Sequence, residues 1–258
     1  MDLQLKGKTA VVTGGSAGIG LAITKALVNE GVTVTVPGRS QDKLDKALAG
    51  VSDVKTIVAD VATSEGADAL IQQVPDTDIL VNNLGIYEPK PFAEITDADW
   101  LKIFEANVLS GVRLSRHYFP RMLKRKQGRI IFISSESGIM TPPEMIHYGV
   151  TKSSQLALSR GLAELTKGTA VTVNTVLPGP TRSEGIVDFL KNISSTADPT
   201  PEQAEKEFFE KHRSSSLLQR LIESEEIASL VAFVASPLSA ATNGAALRAE
   251  GGLLRSIA

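Results

Sequence analysis

The chain has 258 residues, a formal net charge of −2, a sequence pI near 6.0, and 42% apolar against 22% charged residues. That balance is typical of a soluble globular protein and lacks the basic excess that nucleic acid or an anionic membrane surface would attract. With no cysteine, disulfides, thiolate catalysis and cysteine metal sites are excluded.

The first six residues lack the basic-then-apolar pattern of a signal peptide, and no apolar run approaches the roughly 20 residues of a membrane span, so the cytoplasm is the expected compartment. Residues 8–12 read as a strand. It runs into Thr13-Gly-Gly-Ser-Ala-Gly-Ile-Gly20 and a helix over 21–29 ended by Gly31. In such a strand–turn–helix unit the N–H groups at the helix start can hold phosphate. Gly14, Gly18 and Gly20 suit a tight turn, close approach of a pyrophosphate and close helix–strand packing. A plain strand-to-helix turn is the alternative. The same letters fit Gly-x-Ser-x-Gly, a hydrolase elbow with Ser16 as nucleophile. Against that, the turn follows the first strand, and no earlier strand remains to supply a second oxyanion donor.

A second strand, 32–36, is β-branched throughout and ends in Pro37-Gly-Arg-Ser40. In a dinucleotide fold the residue closing this strand faces the adenosine ribose. A carboxylate there selects NAD, and an arginine accommodates the extra phosphate of NADP. Gly38 leaves room and Arg39 supplies charge, so NADP is expected before NAD; a solvent-facing Arg39 is the plain alternative. A third strand, 54–58, precedes Asp60. That carboxylate either accepts from an adenine amino group or caps a helix near Thr63. A fourth, 78–81, enters Asn82-Asn-Leu-Gly85, where Asn83 is expected to brace the sheet and Gly85 to lie against a cofactor. Thr96-x-x-Asp99 is a helix-start box. The helix expected over 97–126 should kink near Pro120. Asn107 lies inside it, where Asn is unfavourable: either it has a task or it faces solvent.

Residues 129–133 form a fifth apolar strand, with Ser135 just beyond it. Thirteen positions after Ser135 comes Tyr148, and four after that Lys152, one helical turn along the same face. A phenol, with a reference pKa near 10, is a poor acid–base group at neutral pH. A lysine cation about 4 Å away would favour the phenolate by roughly 4 kcal/mol at an effective dielectric near 20, and burial opposes it. The charge must win for Tyr148 to titrate near pH 7. Tyr-x-x-x-Lys alone is common by chance. Along the same helix Gly149, Ser153, Ala157 and Gly161 make a small-residue stripe that could meet a second subunit or this chain's own sheet. A sixth strand, 170–177, leads to Pro178-Gly-Pro-Thr181. Residues 182–216 are polar and are expected to act as a mobile lid over a substrate site. Within it, Ile186, Phe189 and Leu190 either touch substrate or tack the lid to the body. Tyr87 and the 140–146 loop suggest a partly apolar pocket. A helix at 224–235 and a strand at 245–248 close the chain.

Strands and helices alternate throughout. This implies an α/β fold: one doubly wound parallel sheet, Rossmann-like, in a single domain spanning 1–258. Gly14, Arg39, Asp60, Asn82, Ser135 and Pro178 all follow strands and would gather at the carboxyl edge, where such sheets bind ligands.

Taken in order, Thr13-Gly14-x-x-x-Gly18-x-Gly20, Asp60, Asn82-Asn83-x-Gly85, Asn107, Ser135, Tyr148-x-x-x-Lys152 and Pro178-Gly179 resemble the short-chain dehydrogenase/reductase family in its single-domain branch, over about residues 6–254. The resemblance implies hydride transfer between a nicotinamide cofactor and a small carbonyl or alcohol substrate. Tyr148 would pass the proton, Lys152 would lower its pKa and bind the nicotinamide ribose, Ser135 would hold the reacting oxygen, and Asn107 would anchor a water relay to Lys152. The cofactor would lie against Gly14, Ser16, Gly18, Ile19, Gly20, Arg39, Ser40, Asp60, Val61, Asn83, Gly85, Tyr148, Lys152, Pro178, Gly179 and Thr181. No metal, nucleic acid or membrane partner is expected, and Asp, Glu and His are expected to take no direct chemical part. A homo-oligomer, dimer or tetramer, is expected. Leu84 stands where alanine is usual and would tighten the cofactor cleft. Glu250 stands where aspartate is usual and would weaken a subunit contact. A dinucleotide-sensing protein without chemistry is the alternative, and the complete set Asn107, Ser135, Tyr148 and Lys152 speaks against it.

Overall fold

A computed structural model describes residues 1–257. Seven strands form one parallel sheet in the order β3-β2-β1-β4-β5-β6-β7. They are β1 (Thr9–Val12), β2 (Thr33–Gly38), β3 (Val54–Val58), β4 (Ile79–Asn82), β5 (Gln127–Ile133), β6 (Ala170–Pro178) and β7 (Ala246–Ala249). The doubly wound expectation holds. Chain order reverses between β1 and β4, and ligands of such sheets sit beyond the carboxyl ends at that point.

Alternation along the strands sorts side chains to two cores, because successive residues face opposite sides. Ala10, Val12, Ile79, Val81, Ile131 and Ile133 face the helices α1 (Gly18–Asn29), α2 (Gln41–Ala47) and α9 (Ser224–Ala235). Val11, Leu80, Ile130 and Phe132 face the other side. There they pack with α3 (Ser64–Gln73), α5 (Ser110–Arg125) and α6 (Ile146–Glu164). Helix starts use local chemistry. Thr63 Oγ1 accepts from Gly66 N–H at 3.0 Å, so Thr63 and not Asp60 caps α3. Thr96 and Asp99 form the expected reciprocal box at the start of α4 (Asp97–Phe104).

The expected long helix is interrupted elsewhere than foreseen. Between α4 and α5, residues Glu105–Leu109 form a π turn, and Asn107 is at its centre, 1% exposed. Pro120 lies within α5 on its exposed face, as does Arg116, whose carbonyl loses its helical donor to the proline. The segment after β6 holds α7 (Glu184–Ile193) and α8 (Pro201–Lys211) around their own small core of Leu190, Ala204, Phe208, Phe209 and Leu221. Among the described residues no helix is long and apolar enough to cross a membrane.

Candidate active site

Two hollows open at the carboxyl edge of the sheet, walled by the same two loops, 14–19 and 84–87. The first, about 600 Å³, is lined by Gly14, Ser16, Arg39, Ser40, Asp60, Val61, Leu84 and Gly85, with Lys43 beside them. Its floor is built for close approach. Gly14 and Gly18 have φ of +64° and +46°, a region L side chains rarely enter. At Gly20 a Cβ would overlap the Gly14 carbonyl and the Asn83 amide. Asn83 Nδ2 donates to Thr13 O at 3.0 Å and Gly14 O at 3.4 Å, bracing the turn that follows β1. The first turn of α1 has no side-chain cap, so its N–H groups remain to hold an anion. The cradle therefore fits a dinucleotide pyrophosphate, with Gly18 and Gly20 shaping it from beneath. Arg39 has no hydrogen-bonded protein partner among the described residues, and Lys43 adds a second cation that sequence reading passed over. Gly38 has a packing duty too: a Cβ there would come within 2.8 Å of Leu44. The side chain of Asp60 accepts from Ala62 N–H at 3.1 Å.

The second hollow, about 190 Å³, holds Ser135 and Tyr148 together with Ile19, Tyr87, Met145, Pro178, Gly179, Thr181, Ile186 and Phe189. Of the two roles open to Leu190, the structure shows packing: it sits inside the lid core, where its turn of α7 faces α8. Thr181 Oγ1 donates to Gly179 O at 2.8 Å, holding the loop after β6. His147, next to Tyr148, is buried edge-on against Trp100, a packing role. Ser16 bonds none of the three histidines, and the elbow reading has no base to stand on.

Behind the phenol lies a buried polar chain. Asn107 clips Ile86 of the 84–87 loop through both main-chain groups: Oδ1 accepts from Ile86 N–H at 2.7 Å and Nδ2 donates to Ile86 O at 2.9 Å. Nδ2 also donates to Thr151 Oγ1 at 3.0 Å. The main-chain carbonyl of Asn107 accepts from Gln155 Nε2 at 2.6 Å, and Gln155 Oε1 accepts from Lys152 Nζ at 3.3 Å. A side chain thus joins Asn107 to Lys152. Gln155, 2% exposed, spans the gap itself. Lys152 Nζ also donates to Ile133 O at 3.0 Å. A Cβ on Gly85 would lie 3.5 Å from that ammonium, so the loop backbone covers it.

Lys152 Nζ lies over the Tyr148 ring, 5.5 Å from its centroid, and its hydrogen bonds go to Ile133 O and Gln155 Oε1. Burial pushes the phenol well above its usual pKa, and the Glu136 charge adds to this; only the Ser135 hydroxyl opposes. Burial also brings Lys152 down to about 8, with Glu136 pulling the other way. Glu136 is a charged neighbour that sequence reading missed. It is 5% exposed and accepts a hydrogen bond from the Ser135 hydroxyl. Burial raises its own pKa. Its other oxygen faces Arg213 Nε at 3.7 Å. Glu136 comes to the site because the residue after Ser135 turns inward on the 3-10 turn Glu136–Gly138.

The small-residue stripe of α6 divides in two. Gly149 and Ser153 meet the 137–141 segment of the same chain, with Ser153 Oγ donating to Gly138 O at 2.6 Å, whereas Ala157 and Gly161 are exposed. Glu250 is buried and takes the N–H groups of Leu253 and Leu254 and the Arg248 guanidinium, so its carboxylate folds the C-terminal turn of its own chain.

Comparison with known proteins agrees with this architecture. A family model described as short chain dehydrogenase matches residues 8–192. Two uncharacterised oxidoreductases of Bacillus subtilis strain 168, YvaG and YvrD, are 48% identical over 266 residues and 45% identical over 263, each covering 100% of both chains. L-Sorbose reductase from Gluconobacter frateurii, solved in complex with NADPH and L-sorbose, superposes with a TM-score of 0.93 at 29% identity, covering 100% of each chain.

Proposed function

The chain belongs to the short-chain dehydrogenase family of NAD(P)-dependent oxidoreductases, and on that premise we propose that it is an NADPH-dependent reductase of small carbonyl substrates. One observation carries the reading: Ser135 and Tyr148 face a small hollow, with Lys152 and Asn107 buried behind them, and the same loops wall a glycine-floored cleft with Arg39 and Lys43 at its far end. Hydride chemistry is what a bound nicotinamide dinucleotide supplies. The chain's own residues do the rest. Gly14, Gly18 and Gly20 admit the pyrophosphate; Arg39, Ser40 and Lys43 meet a 2′-phosphate; Asp60 and Val61 border the adenine; Gly85, Pro178, Gly179 and Thr181 border the nicotinamide end.

In reduction, Ser135 donates to the carbonyl oxygen, and Tyr148 Oη–H passes its proton to that oxygen as hydride reaches the carbon. Lys152 then stabilises the phenolate left behind. Burial keeps the phenol protonated at neutral pH, the form that gives the proton in the reducing direction. The 182–216 segment closes over the hollow in this reading, and Phe189 and Ile186 enter the substrate wall. A homo-oligomer, dimer or tetramer, in the cytoplasm completes it; sedimentation as a monomer at micromolar concentration would contradict that part.

The test is a carbonyl panel followed by cofactor absorbance, with Tyr148→Phe alongside. Loss of turnover by about a hundredfold or more with NADPH affinity retained is expected. Cofactor binding without turnover on any carbonyl or alcohol would instead make the protein a sensor.

A further inference from the structure

Resting on that reading, we infer that the substrate carries a hydroxyl on the carbon next to its reacting carbonyl, and that Glu136, oriented by Arg213, receives it. Ser135 has one proton to give. In this structure it goes to Glu136, and reduction requires it at the substrate oxygen. When Ser135 turns to substrate, a carboxylate oxygen that is buried at the wall of the same hollow loses its donor. A buried acceptor left without a partner is unfavourable, more so when charged. The replacement donor must reach Glu136 Oε2, which sits beside Ser135 Oγ and so beside the substrate oxygen that Ser135 would hold. A hydroxyl on the adjacent carbon meets that condition, since oxygens on neighbouring carbons lie at about hydrogen-bond spacing. A simple ketone offers only a methylene there.

Arg213 sets the other side. It is 8% exposed and lines the hollow at the end of the lid. One Nη donates to His212 O at 2.9 Å and the other to Glu144 at 3.3 Å. Its Nε faces Glu136 at 3.7 Å, beyond hydrogen-bond reach, and has no acceptor. A buried guanidinium donor with no acceptor beside a carboxylate that loses its donor makes a polar end to a wall otherwise formed by Met145, Ile186 and Phe189. An apolar ketone would leave Arg213 Nε and the freed Glu136 oxygen without a hydrogen-bond partner. A hydroxyketone, which both donates and accepts, satisfies both. The hollow's small size fits compact hydroxylated ketones and aldehydes, with ketoses and keto sugar acids as the larger members.

The experiment compares kcat/KM with NADPH for matched pairs in which a hydroxyl replaces a methyl: hydroxyacetone against 2-butanone, and dihydroxyacetone against 3-pentanone, with a ketohexose as the extended member. A preference of about a hundredfold or more for the hydroxylated partner is expected, since a site built to bond a hydroxyl discriminates strongly against its absence. In Glu136→Leu the ratio should fall to within about threefold, with Arg213→Met reducing it less. Where Glu136→Leu fails to fold, the wild-type ratio decides alone. Equal kcat/KM within each pair would overturn the inference and leave the carbonyl-reductase reading standing. No turnover of any member would overturn both.

Discussion

Replacing Gln155 by leucine removes the one side chain that joins Asn107 to Lys152, and the structure fixes what should follow. Gln155 Oε1 accepts from Lys152 Nζ at 3.3 Å in a site closed to water. A hydrogen bond to a charged group contributes about 1.5–3 kcal/mol, and about 1.4 kcal/mol moves a pKa by one. Lys152, already held near 8 by burial, should fall by about one further to two, because leucine is no acceptor for the ammonium. If the ammonium is needed to engage the cofactor ribose, kcat/KM for NADPH reports its ionisation in the cofactor-free enzyme. The alkaline limb of that profile, expected near pH 8 in wild type, should then move down by one to two pH units. Gln155→Glu should move it up, by placing an anion where the amide oxygen was. A positioning role predicts these opposite displacements. A purely structural role predicts a uniform drop in kcat/KM with the limb fixed in both variants, and that result would refute the argument.

Other outcomes can be read with simpler assays. Arg39→Ala should weaken NADPH binding by about tenfold, a loss of about 1.4 kcal/mol, and leave NADH affinity unchanged; equal losses by isothermal titration would remove the case for a 2′-phosphate contact. Gly20→Ala places a methyl into the Gly14 carbonyl, so cofactor affinity should fall at least tenfold, with an overpacking cost of roughly 1–3 kcal/mol in chemical denaturation. Lys152→Met should flatten the rise in stability of the cofactor-free protein between about pH 8 and 10. The folded pKa of Lys152 is depressed to about 8 from 10.5, so in that window the unfolded chain binds more protons and stability climbs with pH, by about 3 kcal/mol at most. Urea midpoints that climb equally in both proteins would sink that assignment.

How much of this was legible in the sequence depends on whether an element is set locally or by contacts across the chain. The strands were found within two residues because parallel strands buried on both faces read as apolar runs. The last helix was placed at its observed ends, Ser224–Ala235. The π turn within the 97–126 helix was not expected. A proline is visible in one dimension, but the π turn at Glu105–Leu109 coincides with a pairing of Asn107 to Ile86, 21 residues away. That Asn was unfavourable inside a helix was the available signal, and it pointed to the right residue with no indication of its partner.

The site shows the same division more sharply. Spacing placed Ser135, Tyr148 and Lys152 together, because strand end and helix turn are local geometry. The sign of the electrostatics was not available from spacing, since it depends on what else is buried nearby and which way the ammonium leans. Lys152 is turned to Gln155, one turn along its own helix, and to Ile133 O, which comes within reach only once α6 is packed against β5. Glu136 follows Ser135 directly and was passed over because a carboxylate in a loop is ordinarily solvated. Only folding reveals that it faces Arg213, 77 residues later on the segment beyond α8. Two ionisable groups, neither costly in isolation on a surface, are held here in a small closed space beside a hydroxyl that must be free to act. That arrangement is unfavourable for an empty pocket. It becomes favourable when an occupant brings both a donor and an acceptor, and for this reason the charge pair, more than the apolar wall, should decide what the hollow accepts.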